Sequence, residues 1–263
     1  MKIRIPPYPN YQITDEVFNR DVASVTVTKS DSQGLSTQLI MITEFGLGKK
    51  RVIRARPVRF KGNLFVTAFP NPIHLFLSLA IENYNQSETI KEINFAKCGR
   101  QVGDDVFVLD IEENGTHDCY NHYVKYRASS IIMLVSTLEA YLNHIIPNNF
   151  IYTTTRKGQQ VKFDKEDIES AKVSFREKLN EVIPQWLAKP DFWKTHVLEK
   201  VAIEELYENR KNIIHLKTYS EDDFSRYFPA IDKMLDLDIR DSIDATIKFM
   251  NAVSPDFVQT QSE

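Results

Sequence analysis

The feature that most limits what this chain can fold into is a change of hydrophobic period. Between residues 20 and 69 apolar side chains recur at every second position, in VASVTVT (22–28), QLIMITEF (38–45), RVIRAR (51–56) and LFVTAF (64–69). Such alternation turns one face of an extended chain toward a core, and the Val, Ile, Thr and Phe content suits a pleated surface. From Thr116 onward the spacing becomes three and four, the period of a helix. A chain that does both in succession is expected to be α+β: a small antiparallel β region with one helix over residues 1–115, then an all-α bundle over 116–263.

The punctuation supports this division. SDSQG, GLGKK and Lys61-Gly62-Asn63 separate the strand candidates with residues that tight turns need. Asn71 and Pro72 form a cap and first-turn pair for a helix over 72–85, and the segment 86–115 offers one strand, 106–111. The first long helix is expected over 118–146, with a stripe Val124, Ala128, Ile132, Val135, Glu139, Leu142, Ile146. A polar loop (153–160) follows, and Asp164 then caps a second helix with the stripe Ile168, Ala171, Phe175, Leu179, Val182, Trp186, kinked or ended by Pro184 and Pro190. Thr195 opens a third helix with Leu198, Ala202, Leu206, Asn209, Ile213 and Leu216 inward; helices over 224–235 and 239–253 complete four or five.

Charge and composition narrow the function classes. Thirty-three basic against 36 acidic residues leave a net charge of -3, so any affinity for nucleic acid must be local. No apolar run approaches the ~20 residues of a membrane span and the first residues show no apolar leader. With two cysteines, Cys98 and Cys119, lacking CxxC spacing, the expectation is a cytoplasmic protein without membrane attachment. The one positive patch lies between Glu44 and Glu82, where Lys49, Lys50, Arg51, Arg54, Arg56, Arg59 and Lys61 occur with no acidic residue. It reads either as a phosphate-backbone contact surface, or structurally, as an edge strand protected by charge or a partner for the acidic strand 104–113.

The stretch 201–219, VAIEELYENRKNIIHLKTY, carries the chemistry. Arg210 supplies a permanent positive charge and His215 an imidazole that titrates near neutrality, a pair suited to phosphodiester cleavage. Histidine can take the proton of an RNA 2′-hydroxyl or protonate the leaving 5′-oxygen while arginine stabilises the phosphate charge, with no metal or other cofactor required. Five residues turn a helix by about 140°, so the two converge only if the arginine swings or a second copy presents its motif across a two-fold axis. Asn212 and Tyr219 could orient the imidazole. Glu139, a carboxylate in an apolar stripe, is either an interior salt-bridge partner or a site acid facing Arg210. His117, Cys119 and His122 lack the helical zinc spacing, His74, His144 and His196 read as surface or capping residues, and no GxSxG or Walker motif is present.

ENRKNIIH, following an earlier helix with STLEAYLNHII, resembles the HEPN superfamily of helical-bundle proteins. The resemblance covers about residues 118–253 and implies a bundle with an Arg-(four to six residues)-His motif. It further implies metal-independent endoribonuclease activity, assembled between two protomers, of a prokaryotic defence or toxin–antitoxin type. By that resemblance Arg210 and His215 are the catalytic pair and Glu139 the supporting acid, the partners being RNA, a second copy and an antitoxin or regulatory protein. Where the family often has a polar residue after the arginine, this chain has Lys211, with Asn212 one later. Lys211 joins Lys49, Lys50, Arg51, Arg54 and Arg56 as candidate RNA contacts. The alternative is a non-catalytic HEPN-like binding or regulatory module, in which Arg210 and Glu139 form a structural pair and the basic hairpin 49–61 contacts a partner.

Overall fold

The computed structural model describes residues 2–5, 10–11, 39–45, 49–68, 70–91, 99–109, 116–215, 225 and 227–261; the strand expected at 22–28 lies outside them. In chain order the strands and first helices are β1 (Lys2–Arg4), β2 (Asn10–Tyr11), β3 (Leu39–Phe45), β4 (Lys49–Phe60), β5 (Asn63–Ala68), α1 (Pro72–Lys91), β6 (Arg100–Gly103), β7 (Val106–Val108) and α2 (Thr116–Ile145). After β8 (Tyr152–Arg156) and β9 (Gln159–Phe163) come α3 (Lys165–Glu169), a composite α4 (residues 175–186), α5 (Phe192–Thr195), α6 (Val197–Ile214), α7 (Tyr227–Asp236), α8 (Ile239–Val253) and β10 (Gln259–Gln261). The architecture is thus mixed helix and strand, and mostly helical. The chain divides into two compact units, residues 4–75 and residues 1–3 with 76–263.

The smaller unit is built on β4. It pairs antiparallel with β3 from Phe45↔Lys49 to Leu39↔Ala55, with β5 from Phe60↔Asn63 to Ala55↔Ala68, and with β2 at Val52 and Ile53. The basic stretch is therefore in the central strand, which corrects the expectation of a charge-protected edge. Nor does it pair with the acidic segment, because β7 takes β6 as its neighbour. Sequence separation explains both outcomes: closing a hairpin with an adjacent strand costs less chain entropy than recruiting a strand some fifty residues away.

Two hairpins use the same turn. Lys61 (φ 47°) and Gly62 (φ 78°) join β4 to β5, and Lys157 (φ 52°) and Gly158 (φ 78°) join β8 to β9. Both central residues are left-handed, as a type I′ hairpin turn demands, and glycine takes the second position without a Cβ penalty. The expected polar loop at 153–160 is therefore a β-hairpin, and the second part of the chain is not all-α. Its polar residues concealed two half-buried strands anchored by Tyr152 and Phe163. Gln185 fastens the hairpin to α4 with its amide, donating to the Thr153 carbonyl and accepting from the Thr153 N–H, both at 2.9 Å.

In the larger unit α2, α6 and α8 pack on one another, and α7 packs on α2 and α6. Val135, Leu142 and Ile146 of the expected stripe are buried, but the buried face of α2 is wider and also takes Arg127, Ile131, Leu134, Leu138 and Tyr141, while Val124, Ala128, Ile132 and Glu139 are half-buried at its edge. Five consecutive apolar residues, Ile131 to Val135, give this helix a wide apolar arc whose centre periodicity cannot fix. Helix α1 ends at Lys91, six residues beyond expectation, and keeps the Asn71 cap, whose side-chain oxygen accepts from the Ile73 N–H at 2.9 Å.

The corner between α7 and α8 is closed by a guanidinium. Arg127, 4% exposed, donates to the carbonyls of Met234, Leu235 and Leu237. These are orphan acceptors at a helix C-terminus, where the dipole favours positive charge. The second expected helix is broken. Asp164 caps α3 as expected, accepting from the Asp167 N–H at 2.9 Å, but α3 ends at Glu169 and α4 restarts at a second cap, Ser174. Within α4, Lys178–Val182 takes π geometry, with the Ile183 N–H bonded to the Lys178 carbonyl. In that register the next donor belongs to residue 184, a proline, which has none. The Leu179 carbonyl left over accepts instead from the Trp193 indole N–H at 2.9 Å.

Helix α4 closes in a Schellman motif: the Lys189 N–H reaches the Pro184 carbonyl, the Ala188 N–H reaches that of Gln185, and Ala188 is left-handed (φ 53°). The third helix also starts later than expected, since His196 separates α5 from α6. Replacing Arg127→Met leaves three carbonyls without their charged donor and is expected to destabilise the fold by about 3 kcal/mol, read as a lower urea midpoint. Replacing Ala188→Gly relieves a left-handed alanine and is expected to raise stability by about 0.5–1 kcal/mol in the same measurement.

Candidate functional site

Helix α6 carries the expected pair. Its buried side, Ile203, Leu206 and Asn209, faces the core, so Arg210 emerges at the edge of that face and is half-buried. The surrounding charges are engaged: Arg176 donates to Glu208 at 2.7 Å, and the Lys211 ammonium lies 3.8 Å from the same carboxylate. The Arg210 side chain has no hydrogen bond or ion pair among the described residues.

His215 is the C-cap of α6 (φ −106°, ψ 29°), exposed, with its backbone N–H bonded to the Lys211 carbonyl. The helical path therefore holds as far as this residue, and the rotation of about 140° between the two side-chain directions stands. Asn212 is half-buried between them, and Tyr219 lies outside the described residues. Of the helix's expected inner face, Leu198 is a correction: it is 81% exposed. In the first turns of α6 Val197, Leu198 and Val201 are exposed, while Ile203 is fully buried.

Glu139 does not meet Arg210 in an ion pair among the described residues. The positive charge it acts on is Lys178, in the π segment of α4, whose Nζ donates to the Asn143 side-chain oxygen at 2.9 Å. Burial pushes the Lys178 pKa down from its ordinary value, Glu139 and Glu169 oppose that shift, and Lys165 adds to it. Lys165 closes the end of α2 by donating to the carbonyls of Asn143 and Ile146. The two lysines and Glu139 thus belong to the joint between α2 and the α3–α4 segment.

Two polar residues of this region went unremarked in the sequence as site candidates. Lys178, 8% exposed, stands three residues after Phe175 and four before Val182, the spacing of the apolar stripe itself. Asn209, 5% exposed, donates to the Glu205 carbonyl at 3.1 Å, while its amide oxygen has no donor among the described residues. Lys49, Lys50, Arg51, Arg54 and Arg56 all fall in β4, in the other compact unit.

Among the described residues no group of His, Cys, Asp and Glu is arranged to hold a metal ion, and no helix is long and apolar enough to cross a membrane. Comparison with family models, with curated proteins and with solved structures gives no match for this chain.

A buried lysine with a lowered pKa leaves the unfolded state binding more protons between its folded pKa and 10.5, so stability rises with pH across that window. Wild-type protein is expected to gain stability relative to Lys178→Met as pH is raised toward 10.5, measured as the difference in urea midpoints. A difference that stays constant with pH would show that burial does not shift Lys178.

Proposed function

We propose that this chain is a metal-independent endoribonuclease in which His215 moves the proton and Arg210 holds the phosphate. The observation that carries the reading is the state of Arg210. It is a half-buried guanidinium whose side chain has no partner among the described residues, beside Arg176, Glu208 and Lys211, which are paired with one another. Partial burial strengthens its pull on an anion, and an RNA phosphate would supply the missing charge. An exposed imidazole at the end of the same helix is free to exchange protons with solvent and substrate. The resemblance to the HEPN superfamily points the same way, and with it to a prokaryotic defence or toxin–antitoxin role in the cytoplasm.

In this reaction the 2′-oxygen attacks phosphorus, the bond to the 5′-oxygen breaks and that oxygen takes up a proton, leaving a cyclic phosphate and a 5′-hydroxyl. Because the two side chains diverge on one helix, the active unit is a homodimer in which each α6 offers its histidine to the other's arginine. Asn212 then positions the imidazole and Lys211 contacts the RNA backbone; the basic residues of β4, in the other compact unit, are a separate candidate RNA contact. One observation favours the alternative, a binding module without catalysis: Glu139, the third member of the expected trio, makes no ion pair with Arg210 among the described residues, and its charge acts on Lys178.

Purified protein in EDTA is expected to cleave single-stranded or structured RNA to cyclic-phosphate ends. His215→Ala should lower the rate about 10²–10⁴-fold and Arg210→Ala about 10²–10³-fold, with helical circular dichroism unchanged. A wild-type chain that cleaves neither RNA class, together with loss of cellular function on charge reversal across residues 49–61 and none on His215→Ala, would establish the binding module instead.

A further inference from the structure

Helices α6 and α8 leave an open groove of about 420 Å³ along their N-terminal halves. Its apolar surface comes from Leu198, Val201, Ala202 and Ala245, and two of these are unusually bare: Leu198 is 81% exposed and Val201 56%. Five carboxylates, Glu199, Glu205, Asp238, Asp241 and Asp244, surround this floor, and among the described residues Lys248 is the one cation that lines it.

Part of that negative charge has a local duty. Asp238 caps α8 by accepting from the Asp241 N–H at 3.0 Å, and Glu199 and Asp241 lie in first turns, where the helix dipole favours anions. Glu205 and Asp244 have no such duty. They are exposed, lie beyond the first turn and make no ion pair among the described residues, so the rim is more acidic than helix capping requires.

We propose that this groove is a docking site for a basic amphipathic helix of a protein partner. The length agrees: Leu198 and Glu205 are seven residues apart, about 10 Å of helix axis, which matches two turns of an incoming helix. Apolar side chains at i, i+3 or i+4, and i+7 of that helix would cover Leu198 and Val201, while its flanking lysines and arginines meet the carboxylate rim. The charge excludes the simplest competitor. A second copy docked by the same patch would set five carboxylates against five. The site is separate from Arg210 and His215, and the inference stands whether or not those residues act on RNA.

The test is selection from a phage-displayed library of helical 18-residue peptides on the full chain, counter-selected on the Leu198→Ser/Val201→Ser double variant. Both side chains are exposed, and a thermal melt confirms that the variant stays folded. Enriched peptides are expected to carry the apolar spacing with Lys or Arg on its flanks. A labelled synthetic copy, followed by fluorescence anisotropy, should bind at least tenfold more weakly to the double variant and to Glu205→Lys/Asp244→Lys, and unchanged to His215→Ala. The proposal is overturned if no sequence is enriched over the double variant, if the enriched sequences are neutral or acidic, or if a scrambled peptide of equal charge binds as well. It is equally overturned if sedimentation shows a dimer of the wild-type chain that Leu198→Ser dissolves, since the occupant would then be a second copy.

Discussion

The helical unit depends on what Arg127 does at the corner between α7 and α8. A two-residue connection there leaves Met234, Leu235 and Leu237 with carbonyls that no helical N–H can reach, inside a region closed to water. One guanidinium from the middle of α2 satisfies all three, and its positive charge is balanced by the negative ends of peptide dipoles in place of a carboxylate. The same contact fixes the direction in which α8 leaves the corner. Tyr141, about four turns further along α2, then donates to the Met250 carbonyl near the other end of α8 at 2.9 Å. With α2 and α8 held at both ends, α6 has a fixed bed, and the direction in which Arg210 emerges follows from it.

A second constraint comes from an absent donor. Pro184 cannot continue the hydrogen-bond ladder of α4, and the helix responds by widening into a π turn upstream of it. The released Leu179 carbonyl is what Trp193 binds, so a break in one helix becomes the attachment point for the next segment. That attachment brings the Trp193 ring against Phe249 of α8, stacked at 5.4 Å between centroids. The π turn also buries Lys178, where the charge of Glu139 on α2 favours its ammonium form.

The larger features of the helical unit were readable because they rest on local rules. Asn71, Asp164 and the acidic first turns announce helix starts, and the alternating and three-four spacings announce strands and helices. What misled was composition where it should have been geometry. The segment 152–163 is polar on average, yet the Lys157-Gly158 pair repeats the turn signal of Lys61-Gly62, and β-branched threonines flank it. The phase of α2 was illegible for the opposite reason: too many apolar residues in succession leave several faces that could be buried. Leu198 shows a further limit, since an apolar residue at the right spacing is placed in the core only if a neighbour arrives to cover it, and none of the described residues does.

The sequence by itself determined the mixed class, the helix caps at Asn71 and Asp164 and the presence of Arg210 and His215 five residues apart at the end of one helix, because each of these depends on contacts within a few residues. Tertiary structure decided which strand of the basic region is central, that Glu139 and Arg210 form no ion pair among the described residues, and that Leu198 and Val201 of α6 stay exposed. Those are properties of residues brought together from distant parts of the chain. Their outcome turns on the balance of desolvation, hydrogen-bond satisfaction and loop entropy across the whole packed unit, which no local spacing encodes.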